Sequence, residues 1–451
     1  MAKSGGLLVS LWLLLGPGPA MQAEPLRRGV APDVATAIDA RVAERLPRML
    51  EHYRHLHAHP ELSLHEEETA AYVARFLRER AFDVETGVGG HGVVGLLENG
   101  EGPVLLIRGD MDGLPVTEAT DLPYASRMRT RNADGVLVGT MHACGHDVHV
   151  TNLLGTAAIL GDLRDLWRGT LVILAQPAEE IGLGALQMIE DGLFDRVPAP
   201  DHGLALHVDG DLPVGSIGYV SGWAAANVDS LEITVHGRGG HGARPHQTVD
   251  PIAISAHIVT ALQTIVSRRV DPSQPAVVTV GSIHGGTKGN VIPDEVRMAL
   301  TVRSYSDEVR ALLLASIREI ATETCAAHRC TKPPDIVVKE TYTPAVYNDP
   351  GLTAHAVAVF GALLGPDAVH AITPTMTGED FGRYTRAAGF PTLLFRLGSV
   401  DPARWQQAQE QDGEPLPSLH SSRYSPAAEG TLRTGLRGMV RLALSLLAPG
   451  V

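Results

Sequence analysis

The stretch "MHACGHDVH", from Met141 to His149, concentrates side chains of the kind that bind metal ions. It holds one cysteine and three histidines within nine residues, and the whole chain has only three cysteines. Thiolate and imidazole groups are ligands for zinc and for similar divalent ions. Cys144 and His146 are therefore candidate metal ligands, although a histidine taken singly is more often structural than a ligand.

Further candidate ligands directly follow apolar runs that are typical of β-strands. They lie in "LLIRGDMDG", "LAQPAEE" and "LALHVDG" and are Asp110, Asp112, Glu179, Glu180 and His207. Ligands in open α/β sheets bind in the crevice beyond the carboxyl ends of the strands. Polar residues at the ends of elements also serve as caps and turns, so each residue alone is a weak indication. Their joint placement predicts one site at one edge of a sheet.

The adjacent glutamates Glu179 and Glu180 predict two different roles at this site. If one carboxylate binds a metal ion, its neighbour can face the activated water as a general base. His420, in "LHSSRY", is a late candidate for the same site. Imidazole, carboxylate and thiolate together suit zinc, or manganese where oxygen ligands dominate.

A second group of polar residues lies in a glycine-rich stretch, "GRGGHGARPH", which contains His241, Arg244 and His246. Asn290 follows in "HGGTKGNVIPD". An arginine and a histidine in such a loop could bind a carboxylate or stabilise an oxyanion. An ordinary glycine-rich connection is the alternative interpretation, and this motif alone favours it.

Charge and the amino terminus limit the classes of function. A net charge of −14 over 451 residues argues against a nucleic-acid binder, which needs a basic face for phosphates. Lys3, a short apolar run and a segment rich in small residues predict a cleaved secretory signal peptide over residues 1–23, with an uncleaved anchor as the alternative. We therefore expect a periplasmic or secreted protein without stable membrane insertion after cleavage. Cys325 and Cys330 could then form a disulfide or remain two free thiols.

The elements that must position these residues follow from the periodicity of apolar side chains. Strand-like runs alternate with helical ones and predict an α/β domain whose central mixed sheet is flanked by helices. Helical spacing is interrupted at Pro47, and Ser63 is the expected N-cap of the next helix. From about Val228 the order becomes βαββαβ, which predicts a smaller α+β unit with two helices on one face of its sheet. The predicted larger domain comprises residues 34–223 and 339–451, interrupted by the smaller unit over residues 224–338.

The order of the motifs resembles that of a known family. The matching segments are "HPELSLHEEET", "GDMDGLPV", "MHACGHDVH", "QPAEE", "GGHGARPH", "GNVIPD", "GEDF" and "LHSS". This family of metal-dependent amidohydrolases and peptidases includes hippurate hydrolases, bacterial N-acyl-amino-acid amidohydrolases and plant auxin-conjugate hydrolases. It is related to aminoacylases and carboxypeptidase G. The resemblance extends over essentially the whole chain after the signal peptide.

The resemblance implies a catalytic α/β domain with two divalent metal ions, interrupted by a lid domain through which a homodimer is expected. The implied metal ligands are Cys144, His146, Glu180, His207 and His420. Glu179 would be the general base for attack of water on an amide, and Asp112 would orient a ligand from behind it. His241 would stabilise the oxyanion from either subunit of the dimer, while Asn290 would contact the substrate. Arg244, a candidate from its glycine-rich loop and not from the resemblance, is expected to bind the substrate as well.

Two departures from the wider superfamily leave the metal open. Related exopeptidases have histidine in place of Asp110 and aspartate in place of Cys144. We expect zinc or manganese, with cobalt and nickel as alternatives. The predicted activity is hydrolysis of N-acyl amino acids. The alternatives are a metallo-carboxypeptidase or dipeptidase acting on short peptides and, outside enzymes, a metal- or ligand-binding protein.

Overall fold

The structure of the chain, a computed structural model, describes residues 32–410 and 413–447. The predicted signal peptide over residues 1–23 lies outside these described residues. Within the described ranges, no helix is both long and apolar enough to cross a membrane.

Twelve α-helices are found in the described ranges. In chain order they are α1 (Pro32–Ala58), α2 (Glu67–Arg78), α3 (His146–Asp162), α4 (Gly184–Glu190), α5 (Leu193–Arg196), α6 (Pro251–Leu262), α7 (Thr264–Arg268), α8 (Asp307–Ala327), α9 (Pro350–Leu364), α10 (Gly382–Ala388), α11 (Pro402–Ala408) and α12 (Ala428–Leu447).

The same ranges contain eighteen β-strands, several of them very short. They are β1 (Asp83–Val88), β2 (Gly92–Glu98), β3 (Val104–Asp110), β4 (Arg129–Arg131), β5 (Leu137–Gly139), β6 (Thr170–Gln176), β7 (His202–Pro213), β8 (Ile217–Tyr219), β9 (Gly222–Ala225), β10 (Asn227–His236), β11 (Gly240–His241), β12 (Ala276–His284), β13 (Val291–Ile292), β14 (Glu295–Ser304), β15 (Asp335–Val338), β16 (Val346–Asn348), β17 (Val369–Ala371) and β18 (Thr392–Val400).

The larger sheet has eight strands in the order β1-β2-β6-β3-β7-β18-β8-β17. Strand β3 runs parallel to β6 and β7, and β7 runs parallel to β18, whereas β1–β2, β2–β6 and β8–β18 are antiparallel. Alternate residues of its central strands enter separate apolar clusters, because successive side chains point to opposite faces. Leu105 and Ile107 join the cluster that contains α1, α3 and α12, and Leu106 joins the one that contains α4 and α10. The predicted mixed sheet flanked by helices is confirmed.

The smaller sheet is antiparallel, with the order β12-β14-β10-β15. Its strands and its helices α6 and α8 follow the predicted order βαββαβ. Buried and partly exposed or exposed residues alternate along β14, and α6 and α8 pack against this strand and against each other, so both helices cover one face. A short ribbon of β11 and β13, which the sequence pattern did not predict, is added to this unit. The domain boundaries at 224 and 338 stay predictions.

Two local expectations were wrong. Helix α1 continues through Pro47, although proline removes one backbone hydrogen bond, because packing against α3 and α12 holds the helix together. Ser63 does not cap α2, which begins only at Glu67. The Ser63 hydroxyl instead donates to the Asp112 carboxylate over 2.6 Å, which ties the loop before α2 to the end of β3.

Cys325 and Cys330 form a disulfide at the end of α8. Cys325 is buried in the apolar cluster of the smaller unit, and this cluster is separate from the candidate metal site. Of the two open alternatives for these cysteines, the structure contains the disulfide.

Candidate metal centre

The predicted site residues meet at the carboxyl ends of three adjacent strands, β6, β3 and β7. Asp110 is the last residue of β3, Glu179 and Glu180 follow the end of β6, and His207 lies within β7. This arrangement follows from the parallel pairing of β3 with both neighbours, which brings their carboxyl ends to one edge.

A sharp turn before α3 brings Cys144 and His146 to the same edge. Gly145 has a φ of +80°, a backbone conformation that residues with a Cβ atom rarely adopt. A Cβ at Gly145 would also lie only 2.5 Å from Cγ2 of Val208 on β7. Glycine therefore allows the turn to pack closely on the strand, with Cys144 and His146 both buried.

Cys144 lies between two histidines that come from distant parts of the chain. Its Sγ atom is 3.5 Å from Nε2 of His207 and 3.2 Å from Nε2 of His420. The same nitrogen of His420 is 3.6 Å from Oε2 of Glu180. His146 completes the set, because one ligand atom each of Cys144, His146 and His207 lies within 4.8 Å of the others. We name Cys144, His146, Glu179, Glu180, His207 and His420 the sheet-edge cluster.

Hydrogen bonds behind the cluster decide which nitrogen of His146 and of His207 faces it. Nδ1 of His146 donates to the carbonyl oxygen of Asp112 over 2.8 Å, and Nδ1 of His207 donates to the carbonyl oxygen of Val208 over 2.7 Å. Nε2 of each ring is left to face the cluster. The Asp112 carboxylate also accepts the backbone N–H of Glu180, so one residue orients two candidate ligands from behind.

Two buried polar atoms in the cluster lack a partner. Nε2 of His146 and Oε1 of Glu180 make no hydrogen bond within the described part of the chain, and they lie 3.9 Å apart. A buried polar group without a partner is costly, and a cation between these atoms would satisfy both. With the neighbouring thiol and imidazoles, the donor set fits divalent metal ions.

The pKa shifts of the cluster residues indicate different roles for them. Burial, reinforced by Arg396, lowers the pKa of His207 well below its ordinary value, so its ring is neutral and can bind a metal ion. Burial raises the pKa of the Cys144 thiol, whose conversion to a thiolate therefore needs a nearby cation. Burial and the carboxylates of Glu379 and Asp380 raise the pKa of Glu179 well above its ordinary value, which favours a group that holds a proton.

A buried network of ion pairs lies beside the cluster. Asp110 is the only residue of this network that the sequence analysis had named as a candidate. The guanidinium of Arg108 contacts the carboxylates of Asp110, Glu379 and Asp380 over 2.6, 2.9 and 3.1 Å. The three pairs are almost completely buried, so Arg108 offsets a concentration of negative charge beside Glu179. "GEDF" was part of the family resemblance, but no local pattern indicated that its acids pair with Arg108.

The third histidine of "MHACGHDVH" has both ring nitrogens occupied. Nδ1 of His149 lies 2.6 Å from the Asp110 carboxylate, while Nε2 accepts the backbone N–H of Val208 over 2.9 Å. A ring that accepts through Nε2 carries its proton on Nδ1 and is neutral. His149 therefore joins β3 to β7 and is not available as a ligand in this arrangement.

The cluster forms one wall of a cavity of about 530 Å³. The smaller unit contributes Val228 and Arg303 to its lining, and β18 contributes Arg396. Neither arginine was a sequence-based candidate, because an isolated arginine in a strand carries no local indication of what it faces. The cavity is large enough for a small organic substrate.

The candidates of the smaller unit lie apart from this cavity. His241 and Asn290 meet at the ribbon of β11 and β13, where the backbone N–H of Gly242 donates to the carbonyl oxygen of Asn290. His241, Arg244 and Asn290 are exposed and are not among the residues that line the cavity. We name these three residues and the two strands the lid ribbon. The structure therefore does not bring the lid ribbon to the sheet-edge cluster within one chain.

Comparisons with known proteins agree in family. Residues 106–412 match the sequence pattern described as Peptidase family M20/M25/M40. The chain is 43% identical over 357 residues to a protein of Synechocystis sp. named a probable hydrolase, covering 78% of this chain and 86% of the relative.

Relatives with more specific names differ in what they act on. An N-acetylcysteine deacetylase of Bacillus subtilis is 38% identical over 364 residues, covering 79% of this chain and 90% of the relative. Thermostable carboxypeptidase 2 of Saccharolobus solfataricus is 36% identical over 395 residues, covering 87% and 93%. The crystal structure of a dinuclear metal binding peptidase of the M20 family from Bacillus subtilis has a TM-score of 0.72 and 30% identity, covering 90% and 99%.

Proposed function

Because the chain belongs to peptidase family M20/M25/M40, a family of metal-dependent hydrolases, we propose that it hydrolyses the amide bond of N-acyl amino acids. The observation that carries the proposal is the composition of the cavity wall. A buried set of metal-ligand side chains, an adjacent carboxyl group with a raised pKa and a guanidinium without a carboxylate partner line the same space. An N-acyl amino acid presents an amide and a carboxylate a few bonds apart, which such a space can accommodate.

We propose that Cys144, His146, Glu180, His207 and His420 hold two divalent ions, and that Asp112 orients two of these ligands. When bound, the ions supply Lewis acidity, which activates a water molecule and polarises the amide carbonyl. The thiol and imidazole donors favour zinc, and the carboxylates also suit manganese. Cobalt and nickel stay alternatives.

Glu179 is the proposed general base. Its side chain adjoins His146 and Glu180, with Nε2 of His146 3.9 Å from its Oε2 atom. A carboxylate in this position can take a proton from the attacking water and return it to the nitrogen of the leaving amine. The surroundings that raise its pKa favour holding that proton between the two steps.

Arg303 is the proposed partner of the substrate carboxylate. Its Nε atom donates to the Thr301 hydroxyl over 3.1 Å, and no carboxylate of the described residues pairs with its Nη atoms. The carboxylate whose charge acts on the Arg303 guanidinium is that of Asp229, and it already accepts a hydrogen bond of 2.6 Å from Arg310. A guanidinium held in this way can donate two hydrogen bonds to a planar carboxylate.

The lid ribbon enters the proposal from a second subunit. We propose a homodimer through the smaller unit, in which His241 of one subunit stabilises the oxyanion at the cluster of the other. Asn290 and Arg244 would contact the same substrate. The exposure of all three residues in the single chain supports this assignment, because donors that complete a site across an interface must be exposed before assembly.

We further propose that the enzyme is exported by the segment over residues 1–23 and acts in the periplasm or outside the cell. The disulfide between Cys325 and Cys330 supports this location, because disulfides persist in oxidising compartments.

The second candidate function is a carboxypeptidase or dipeptidase acting on short peptides. The name of the Saccharolobus relative favours it, and both activities need a carboxylate contact such as Arg303 could provide. The difference lies on the acyl side, where a peptide carries a charged amino group and an N-acyl amino acid does not.

The test compares turnover on matched substrates by the metal-loaded protein. Acetyl, benzoyl and indoleacetyl derivatives of one amino acid are assayed beside dipeptides that share its carboxyl end, and beside acyl amino acid amides without the carboxylate. We expect hydrolysis of the acyl amino acids, loss of rate without the carboxylate, loss on chelation and recovery on adding zinc or manganese. Faster hydrolysis of the dipeptides would favour the second candidate. Metal binding without turnover on any substrate would favour a binding protein.

A further inference from the structure

A second guanidinium, that of Arg396, lies in the middle of the larger sheet. Arg396 is the one partly exposed residue of β18, whose other residues are buried. Its backbone pairs with that of His207 in parallel register, and both side chains line the cavity of the sheet-edge cluster. Residues in register on neighbouring strands project to the same face, so Arg396 stands beside a candidate metal ligand.

This guanidinium has no hydrogen bond or ion pair in the described part of the chain. Asp209 lies on the same side of the sheet, where burial raises the pKa of its carboxyl group and the charge of Arg396 partly opposes that rise, but the two side chains are not paired. The Asp209 carboxylate instead accepts the backbone N–H of Asp211 over 2.8 Å. A half-buried arginine without a hydrogen-bonded partner loses hydration that an unpaired carboxylate nearby offsets only in part, so an anion bound at this guanidinium would complete its environment.

The space around Arg396 continues beyond the site cavity. An adjoining cavity of about 450 Å³ shares Arg396, Thr377 and Leu419 with the first cavity and is otherwise lined by different residues. Arg396 therefore stands at the junction of the two cavities. A substrate that binds at the cluster could extend past it into the second cavity.

Two arginines of this kind face the combined space from different structural units. Arg303 comes from the smaller sheet, and a Cβ added to Gly378 would be 3.9 Å from its Nη1 atom. Arg396 comes from the larger sheet, next to His207. One carboxylate of an N-acyl amino acid can pair with one of these guanidinium groups and leaves the other without a hydrogen-bonded carboxylate.

We propose that Arg396 recognises a second carboxylate on the substrate, so that the preferred substrates are dianionic N-acyl amino acids. This inference rests on the proposed function and adds the substrate class. The second carboxylate can lie on the acyl half, as in the half-amide of a dicarboxylic acid, or on the side chain of an acidic amino acid. The chemistry recognised is the same, and the two positions are separated by the choice of substrates.

The experiment uses two pairs of nearly isosteric substrates. N-succinyl-L-alanine is compared with its succinamoyl analogue, and N-acetyl-L-glutamate with N-acetyl-L-glutamine. We expect the parent to prefer the dianionic member of at least one pair by about ten- to a hundred-fold in kcat/KM, the usual range for a hydrogen bond to a charged group. The pair that shows the preference tells which half carries the second carboxylate.

Three variants assign this preference to one side chain. Arg396→Met should bring the ratio within the preferred pair close to one, while Arg396→Lys should keep part of it, because it retains the charge but not the planar fork. Arg268→Met removes the same charge from an exposed position on α7 and should leave the ratio unchanged. The melting temperature of Arg396→Met should change little, because no hydrogen bond or ion pair of the described residues is lost.

Equal kcat/KM within both substrate pairs in the parent would overturn this inference, and so would an unchanged ratio in Arg396→Met. A lower melting temperature of Arg396→Met, with equal losses of kcat/KM on both members of the pair, would indicate a structural role and would also overturn it. Equilibrium binding to Glu179→Gln separates the inference from the proposed function. Tighter binding of the dianionic member that depends on Arg396 supports the inference even without turnover, whereas turnover without such a difference supports only the proposed function.

Discussion

The sheet-edge cluster and the lid ribbon contain similar residue types in opposite surroundings. In the cluster, His146 and His207 each have Nδ1 fixed by a backbone carbonyl, and both rings are buried. In the lid ribbon, Nδ1 of His241 accepts the N–H of Ala243, two residues away, and the ring is exposed. His146 is oriented by a distant segment and His207 by the carbonyl of the next residue inside the buried sheet, whereas His241 is held only by its own exposed turn.

This difference indicates what each region can do within a single subunit. Rings fixed by burial and by hydrogen bonds to backbone carbonyls of the packed sheet edge keep a geometry suitable for metal ligation before any ligand arrives. A ring on an exposed ribbon can approach a separate surface but is not held there within one chain. We therefore expect the cluster to bind metal ions in an isolated subunit and the lid ribbon to contribute only in an assembled or closed enzyme.

The largest effect is expected from the cluster. Glu179→Gln should retain the metal content of the parent and lose about a hundred- to ten-thousand-fold in kcat, because the amide cannot accept the proton from water. Activity is measured on the best N-acyl amino acid, with metal content by elemental analysis. Glu190→Gln, at an exposed position on α4, is the matched control. A rate within a few-fold of the parent would remove Glu179 from its proposed role.

The lid ribbon provides the next test. His241→Ala should lower kcat by roughly a hundred-fold with unchanged metal content, because an oxyanion donor acts mainly in the transition state. His246→Ala, in the same exposed loop, is the control and should have a small effect.

Mixing His241→Ala with Glu179→Gln tests whether the two regions meet across a dimer. One hybrid site would then carry both intact residues, so part of the activity should return. No recovery despite measured subunit exchange would contradict only the cross-subunit arrangement, whereas loss of a metal ion from His241→Ala would contradict the division between the two regions.

The accessibility of Cys144 tests the cluster directly. With metal bound, alkylation of Cys144 should be slow, and chelation should increase its rate several-fold, because a ligating thiolate is shielded by the metal ion. Mass spectrometry of the peptide gives the rate. Cys325 and Cys330, joined in a disulfide, provide an unreactive internal reference. Equal rates with and without chelator would show that Cys144 is not a ligand.

The smallest effect is on stability and concerns His57, whose partner Asp147 directly follows the candidate ligand His146 in the chain. His57 is buried between the carboxylates of Asp147 and Glu118, at 2.7 and 3.1 Å. Burial opposes its charge, but these two carboxylates outweigh burial and raise the pKa of His57 to about 9. The stabilisation should therefore be complete below the ordinary value near 6.5 and should be lost as the pH rises through about 9.

The melting temperature of the parent should accordingly fall by roughly a few degrees more than that of His57→Gln between pH 7 and pH 10. His236, in the smaller unit, pairs with Asp335, whose side chain is 57% exposed, and is the control from the other region. His236→Gln should follow the parent, because solvent at the exposed Asp335 carboxylate screens the pair. Parallel curves for the parent and His57→Gln would show that His57 does not contribute in this way.

Much of the fold was predictable because it depends on local periodicity. The strand in "GVVGLLE" corresponds to β2 from Gly92 to Glu98, and the order βαββαβ of the smaller unit was also correct. The failures concern positions at which tertiary contacts override local preference. Helix α1 continues through Pro47 because of its packing, and Ser63 bonds to Asp112 instead of capping a helix.

The sequence alone determined the alternation of elements, the family resemblance and the placement of ligand-type residues at strand ends, because each depends on residue type and short spacing. Only the tertiary structure decided that Arg108 meets Glu379, 271 residues further along the chain, and that His149 is occupied on both nitrogens. It also decided that Arg303 and Arg396 face one connected space while His241 does not. These relations depend on how distant segments pack, because hydrogen bonds and ion pairs form over a few ångströms in space regardless of separation along the chain.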